Sequence, residues 1–138
     1  MSLDFIRAHG RETTVTTQAF SPAKINVYLR IVGKRPDGYH ELETVMLPLD
    51  FGDTMTFEPR PTGIALECSD PRLPVDDRNL VVRAAKLLGA RGAKITLQKR
   101  TPLAAGLGGG SSNAATTLLS LNQGESPAAL NALAAQLG

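Results

Sequence analysis

A chain of 138 residues, 42% hydrophobic and 20% charged, has the make-up of one globular domain with a core, which argues against disorder throughout its length. The formal charge of +2 is near balance and the basic residues form no run, so no nucleic-acid partner is implied. The single cysteine, Cys68, excludes an internal disulfide and suits a reducing compartment.

Met1 to Glu12 carries charges every few residues, and no uninterrupted apolar run approaches bilayer length. The expectation is a cytoplasmic chain with no signal peptide and no membrane partner, residues 1–18 forming a flexible lead. Along the strand that follows, Ala23, Ile25, Val27, Leu29 and Ile31 alternate with Lys24, Asn26, Tyr28 and Arg30, which predicts a half-buried strand. Lys34-Arg-Pro-Asp-Gly38 predicts a turn, with proline presetting φ and glycine supplying positive φ. Glu41 to Leu49 resumes as strand. Thr54 to Glu58 and Gly63 to Cys68, parted by Pro59 and Pro61, suit a meander or hairpin. Cys68 itself fits a small buried side chain better than a nucleophile.

The period then changes. Asn79 to Arg91 spaces Leu80, Ala84, Leu87 and Leu88 along one helical face, and Ala93 to Lys99 alternates as a strand. A run from Ser111 to about Asn122 predicts a second helix, with Ala115, Leu118, Leu119 and Asn122 at helical spacing. Gly124 breaks it, and Ser126-Pro127 starts a third helix with serine at the cap and proline in the first turn.

Between the last strand and the second helix lies Thr101-Pro-Leu-Ala-Ala-Gly-Leu-Gly-Gly-Gly-Ser-Ser112. A strand, a glycine-rich loop and a helix start together expose unpartnered amides at the positive end of a helix dipole, where glycines let a phosphate approach the backbone. No lysine follows the glycines and Ser111 stands where a third spaced glycine belongs, so the P-loop and dinucleotide fingerprints both fail. From the residues alone the loop is either an anion cradle, a flexible connector or a site of tight helix packing. Ser111 and Ser112 read as helix caps in any of these cases. Lys24 and Asn26 share a strand face and can aim at one pocket or simply meet solvent. Tyr39 and His40 offer an aromatic ring and an imidazole for a flat ligand, or serve structure alone. Glu41 and Glu43 read as solvated edge charges, since no second His or Asp stands at metal-ligand spacing.

The loop resembles the phosphate loop of the GHMP small-molecule kinases (galactokinase, homoserine kinase, mevalonate kinase, phosphomevalonate kinase), written Pro-x-x-x-Gly-Leu-Gly-x-Gly/Ser-Ser before a helix. Ser21-Pro-Ala-Lys-Ile-Asn26, Gly33-Lys-Arg-Pro-Asp-Gly-Tyr-His40 and Pro48-Leu-Asp-Phe-Gly-Asp53 are similar to the branch of that family acting on a cytidine-diphosphate-linked methylerythritol in non-mevalonate isoprenoid biosynthesis. Asn79-Leu-Val-Val-Arg-Ala-Ala85 and Lys99-Arg-Thr-Pro102 fit the same template. The resemblance runs from about Ala19 to Gly138.

It implies an α+β fold like the second domain of ribosomal protein S5, a mixed sheet with helices on one face. It implies ATP with Mg²⁺, the ATP phosphates wrapped by Gly106, Gly108, Gly109, Gly110, Ser111 and Ser112 behind Pro102, and Asn79 and Lys99 near the nucleotide. Lys24 is implied as the catalytic lysine beside the accepting 2-hydroxyl with Asn26, and Tyr39 and His40 as holding the cytosine. No metal ligand is singled out.

Family members are about twice as long, and their catalytic aspartate lies in a Gly-Ala-Asp-Val-Pro segment directly after the helix that reaches Gly138 here. Asn122-Gln-Gly-Glu-Ser126 is also shorter than the usual connection. The expectation is therefore residues 19–138 as a truncated N-terminal, ATP-binding domain with no C-terminal domain, weak or inactive alone and prone to self-association. A non-catalytic nucleotide-binding or interaction module is the alternative. An S5-like RNA-binding domain follows only from fold analogy.

Overall fold

The structure, a computed structural model, describes residues 15–138. Strands β1 (Thr17–Lys34), β2 (His40–Pro59) and β3 (Gly63–Cys68) precede helix α1 (Leu80–Leu87), strand β4 (Gly92–Gln98) and helices α2 (Gly109–Leu121) and α3 (Pro127–Ala135). The expected lead falls outside the described residues as far as 14. Its last two positions, Thr17 and Gln18, already pair with Phe57 and Thr56 as part of β1.

The four strands form one mixed sheet in the order β1-β2-β4-β3. β1, β2 and β4 run antiparallel in turn, while β3 lies parallel to β4. The expected meander through Pro59 and Pro61 is corrected here: β3 does not pair with β2. A parallel neighbour needs a crossover connection, and α1 supplies it between β3 and β4.

Leu49 and Thr54, read as the end of one strand and the start of another, belong to the single strand β2. Gly52 makes that continuity possible, because a Cβ there would sit 2.2 Å from the Ser21 carbonyl oxygen across the ladder.

Two apolar clusters hold the domain. Met55, Phe57, Leu66, Ala93, Ile95 and Leu97 project from the sheet against Val81, Val82 and Ala85 of α1. Ala84, Ala114, Leu118 and Leu130 join the three helices to one another. α1 thus buries two flanks, one on the sheet and one on α2, where a single face had been expected. It also ends at Leu87, earlier than Arg91, because Gly89 turns the chain at φ 75°.

Along β1, alternation holds only as far as Ala23, which is fully buried. Val27 and Ile31, expected on the inner face, are 62% and 63% exposed. β4 pairs only with Thr54–Pro59 of β2. Beyond it, α2 meets the hairpin at Ser21 and Asp53 through Ser112 and Asn113, and from Ile25 to Pro48 the two-stranded arm is exposed apart from half-buried Gly33 and Thr44. Register shifts at Pro22/Lys24, Asn26/Tyr28 and Ile31/Gly33 also break the two-residue period. No described helix is long and apolar enough to cross a membrane.

Candidate functional site

β4 ends at Gln98, and the chain passes through Lys99, Arg100 and Thr101 into the loop that opens α2 at Gly109. Gly106 and Gly108 adopt φ 73° and 68°, the left-handed region in which a side chain is disfavoured, and Ala104 sits there as well at φ 55°. A strained non-glycine residue of this kind costs on the order of 1 kcal/mol and is concentrated at functional sites.

Gly108 is the N-cap of α2 and contributes no side-chain bond, and the first turn holds no acidic residue. Ser111 and Ser112 therefore do not cap the helix; they are its third and fourth residues, and the Ser112 amide donates to Gly108 O at 2.9 Å. The amides of Gly109, Gly110 and Ser111 have no acceptor inside the helix, which leaves partial positive charge at the loop.

The loop walls one side of a cavity of about 430 Å³. Leu73, Pro74, Leu80 and Leu97 give it an apolar side, and Pro102, Gly106, Gly108, Gly109, Gly110 and Ser111 line the other, with Asn79 and Lys99 between. Such a cavity suits a flat apolar group next to an anion. Asn79 carries a structural load too. Its Oδ1 caps α1 by accepting from Val81 N at 2.9 Å, and its Nδ2 donates to Pro74 O at 2.8 Å.

Lys24 closes the loop from the other side. Its amide donates to Leu107 O at 2.9 Å, and its Nζ donates to Gly106 O at 3.0 Å and to Asn26 Oδ1 at 3.4 Å. Its stem lies against Gly108, where a Cβ would come within 2.9 Å of Cε. The expected Lys24–Asn26 pairing is thus present and sits on the glycine loop. Tyr39 and His40 are not gathered there: they stand at the far end of the hairpin arm, both exposed, with His40 opposite Lys34.

Beneath the loop lies a residue that the sequence reading passed over. Asp53, fully buried, accepts through Oδ1 from the amides of Arg100 and Thr101, each at 2.7 Å. Through Oδ2 it accepts from Lys99 Nζ at 2.5 Å and Asn113 Nδ2 at 2.9 Å. Burial pushes its carboxyl up; the Lys99 ammonium, the two amides and Asn113 outweigh that and hold it below the usual 3.8. The signal was available, since Asp53, Met55 and Phe57 fall on one face of a strand, and a carboxylate on a core face must find donors. Among the described residues no group of three or more His, Cys, Asp or Glu side chains converges as a metal site.

The profile of the family described as GHMP kinases, N-terminal domain, matches residues 79–138, which include the cavity's helix cap, Lys99 and the whole loop. The chain is also 53% identical over 109 residues to the 4-diphosphocytidyl-2-C-methyl-D-erythritol kinase of Protochlamydia amoebophila, and 54% identical over 111 residues to that of Marinobacter nauticus. The chain belongs to the GHMP kinases. Each of those alignments takes in 75% of this chain and 38% of the relative, so the chain spans well under half the length of the curated kinases it matches.

Among solved structures, a 4-(cytidine 5'-diphospho)-2C-methyl-D-erythritol kinase superposes with a TM-score of 0.71 at 38% identity, covering 88% of this chain and 46% of that one. Homoserine kinase from Cytophaga hutchinsonii superposes at 0.65 with 18% identity, covering 95% of this chain and 43% of that one, a likeness of fold alone. The GHMP N-terminal domain is α+β, and the mixed sheet with three helices described above is its architecture here.

Proposed function

We propose that residues 19–138 form the ATP-binding part of a kinase that phosphorylates the 2-hydroxyl of 4-diphosphocytidyl-2-C-methyl-D-erythritol, a cytoplasmic step of isoprenoid synthesis. The observation that carries this reading is the glycine loop held between an apolar cavity and Lys24. In it, the adenine and ribose of ATP occupy the cavity beside Asn79 and Lys99. The phosphates lie on the amides of Gly106, Gly108, Gly109 and Gly110 and on the hydroxyls of Ser111 and Ser112, with Pro102 fixing the entry to the loop.

Phosphoryl transfer asks mainly for alignment and charge stabilisation, which fixed amides and a lysine supply without rearrangement. Lys24 is the catalytic lysine, its ammonium facing both the loop and the accepting hydroxyl, and Asn26 orients that hydroxyl. Tyr39 and His40 are assigned to the cytosine. Mg²⁺, held by the nucleotide phosphates themselves, would supply charge neutralisation there.

Lys24 Nζ hydrogen-bonds Asn26 Oδ1 and Gly106 O and forms no ion pair among the described residues, which supports the expectation that the base of the reaction is not beside it here. The 138-residue chain is accordingly expected to bind an ATP analogue while turning over ATP and substrate far more slowly than the longer kinases. Calorimetry with a non-hydrolysable ATP analogue tests the first clause, and a coupled ADP-release assay with the diphosphocytidyl substrate tests the second. Absence of analogue binding at millimolar concentration sinks the nucleotide reading, and turnover equal to that of a longer kinase sinks the expectation of weak activity.

A further inference from the structure

Asp53, Asn113 and Ser21 take no part in the reading above, yet they join the strand of Lys24, Lys99 and both ends of the glycine loop. Arg100 and Thr101, on Asp53 Oδ1, are the residues by which the chain enters the loop; Asn113, on Oδ2, is where α2 leaves it. Asn113 Nδ2 also donates to Ser21 Oγ at 2.9 Å, and Ser21 Oγ donates to Ser112 Oγ at 2.9 Å. Ser21 lies three residues before Lys24 on β1, so the same network reaches the strand that carries that lysine. Lys99 Nζ, held by Asp53 and by Asn113 Oδ1 at 3.3 Å, lies directly under Gly109, where a Cβ would come within 2.8 Å of it.

A buried ion pair is weak grounds for core stability. The side chains of Lys99 and Asp53 are 5% and 0% exposed, and replacing such a buried pair by packed apolar groups is often neutral or stabilising. What an apolar pair cannot do is accept bonds from both ends of one loop.

We propose that Asp53 is a positioning residue: its carboxylate sets the shape of the glycine loop and the height of the Lys99 ammonium beneath Gly109, without itself touching the nucleotide. The inference rests on the nucleotide reading for its purpose, and on the geometry for its mechanism. Substituting Asp53→Asn keeps the volume but turns an amide donor toward other donors, whichever way it faces. Asp53→Leu with Lys99→Met replaces the pair by apolar groups and separates fold stability from loop shape.

The experiment uses the whole chain, with backbone amide resonances and ATP-analogue affinity measured for wild type, Asp53→Asn, Lys99→Met and the Asp53→Leu/Lys99→Met double variant. The double variant keeps the fold to be tested if Asp53→Asn does not. Expected are displaced or broadened resonances for Gly106 and Gly108–Ser112 in both Asp53 variants and at least a tenfold weaker analogue affinity in Asp53→Asn. In Lys99→Met, Asp53 still accepts from Arg100, Thr101 and Asn113, so the loop resonances stay near wild type. A folded Asp53 variant with unchanged loop resonances overturns the proposal, as does equal disturbance of those resonances in Lys99→Met. If wild type binds no analogue, the nucleotide reading fails by itself, and the loop resonances alone decide whether Asp53 shapes the loop.

Discussion

At the scale of single residues, the glycines divide by what stands next to them. Gly109 has no room for a side chain over Lys99 Nζ and Thr101 Cγ2, at 2.8 and 3.0 Å from a Cβ, and Gly108 is left-handed as well as pressed on Lys24. Gly109→Val is predicted to weaken ATP-analogue binding by at least tenfold, read by calorimetry. Ser111→Ala should cost on the order of tenfold or more, since a hydrogen bond to a charged group is worth about 1.5–3 kcal/mol.

Asp53 carries a pH signature with a definite sign. Its folded-state carboxyl is held below 3.8, so the stabilisation it gives is fully present above that pH and is lost as pH falls through the lower folded value. Urea midpoints of wild type should therefore fall on acidification below about pH 4 more steeply than those of Asp53→Asn. Asp70 and Asp76, each held at about 2 by hydrogen bonds from Arg72 and Arg78, are common to both proteins and cancel. Parallel midpoint curves would refute this assignment. Asp53 could have been suspected from its place beside Met55 and Phe57, but the donors it meets come from segments 46 to 60 residues away. No local pattern names them.

Elements show why some of the chain was easier to read than the rest. Ser126 caps α3, its Oγ accepting from Ala129 N at 3.2 Å, as the Ser-Pro pair predicts. Ser126→Ala should cost about 1 kcal/mol by urea denaturation. Asn79→Ala should cost more, because it removes the α1 cap and also the bond to Pro74 O that holds the cavity's edge.

The apolar spacing of α2 does not mark its buried face. Leu119, one of the residues at helical spacing, is 68% exposed, while Asn113 and Thr117 are buried. Thr117 Oγ1 satisfies itself on Asn113 O at 2.8 Å, and Asn113 on Asp53 and Ser21. A helix that turns polar side chains inward breaks the rule that hydrophobicity marks the core, and it does so where the site is assembled.

Over the whole molecule, the feature that remains to be accounted for is the hairpin arm. Val27, Leu29 and Ile31 on β1 and Leu42, Val45 and Met46 on β2 are all more than half exposed, on a ladder whose outer edge, β1, has no neighbour among the described residues. Apolar side chains beside an open strand edge favour association. We predict concentration-dependent self-association in light scattering, reversed by Val27→Lys with Val45→Lys; a monomer at all concentrations contradicts it.

The same arm marks where sequence and tertiary structure divide the work. Local chemistry by itself determined the strand-loop-helix order, the turn at Lys34–Gly38 and the cap at Ser126. Each of these depends on residues within a few positions of one another. Only the tertiary structure decided that β3 lies beside β4, that Lys24 sits on Gly106 and Gly108, and that one buried carboxylate joins both ends of the loop. It also decided that the alternation of β1 does not bury its apolar side. Those outcomes depend on contacts between distant segments and on which faces find a neighbour, and a strand's two-residue period says how side chains divide between faces without saying what covers either one.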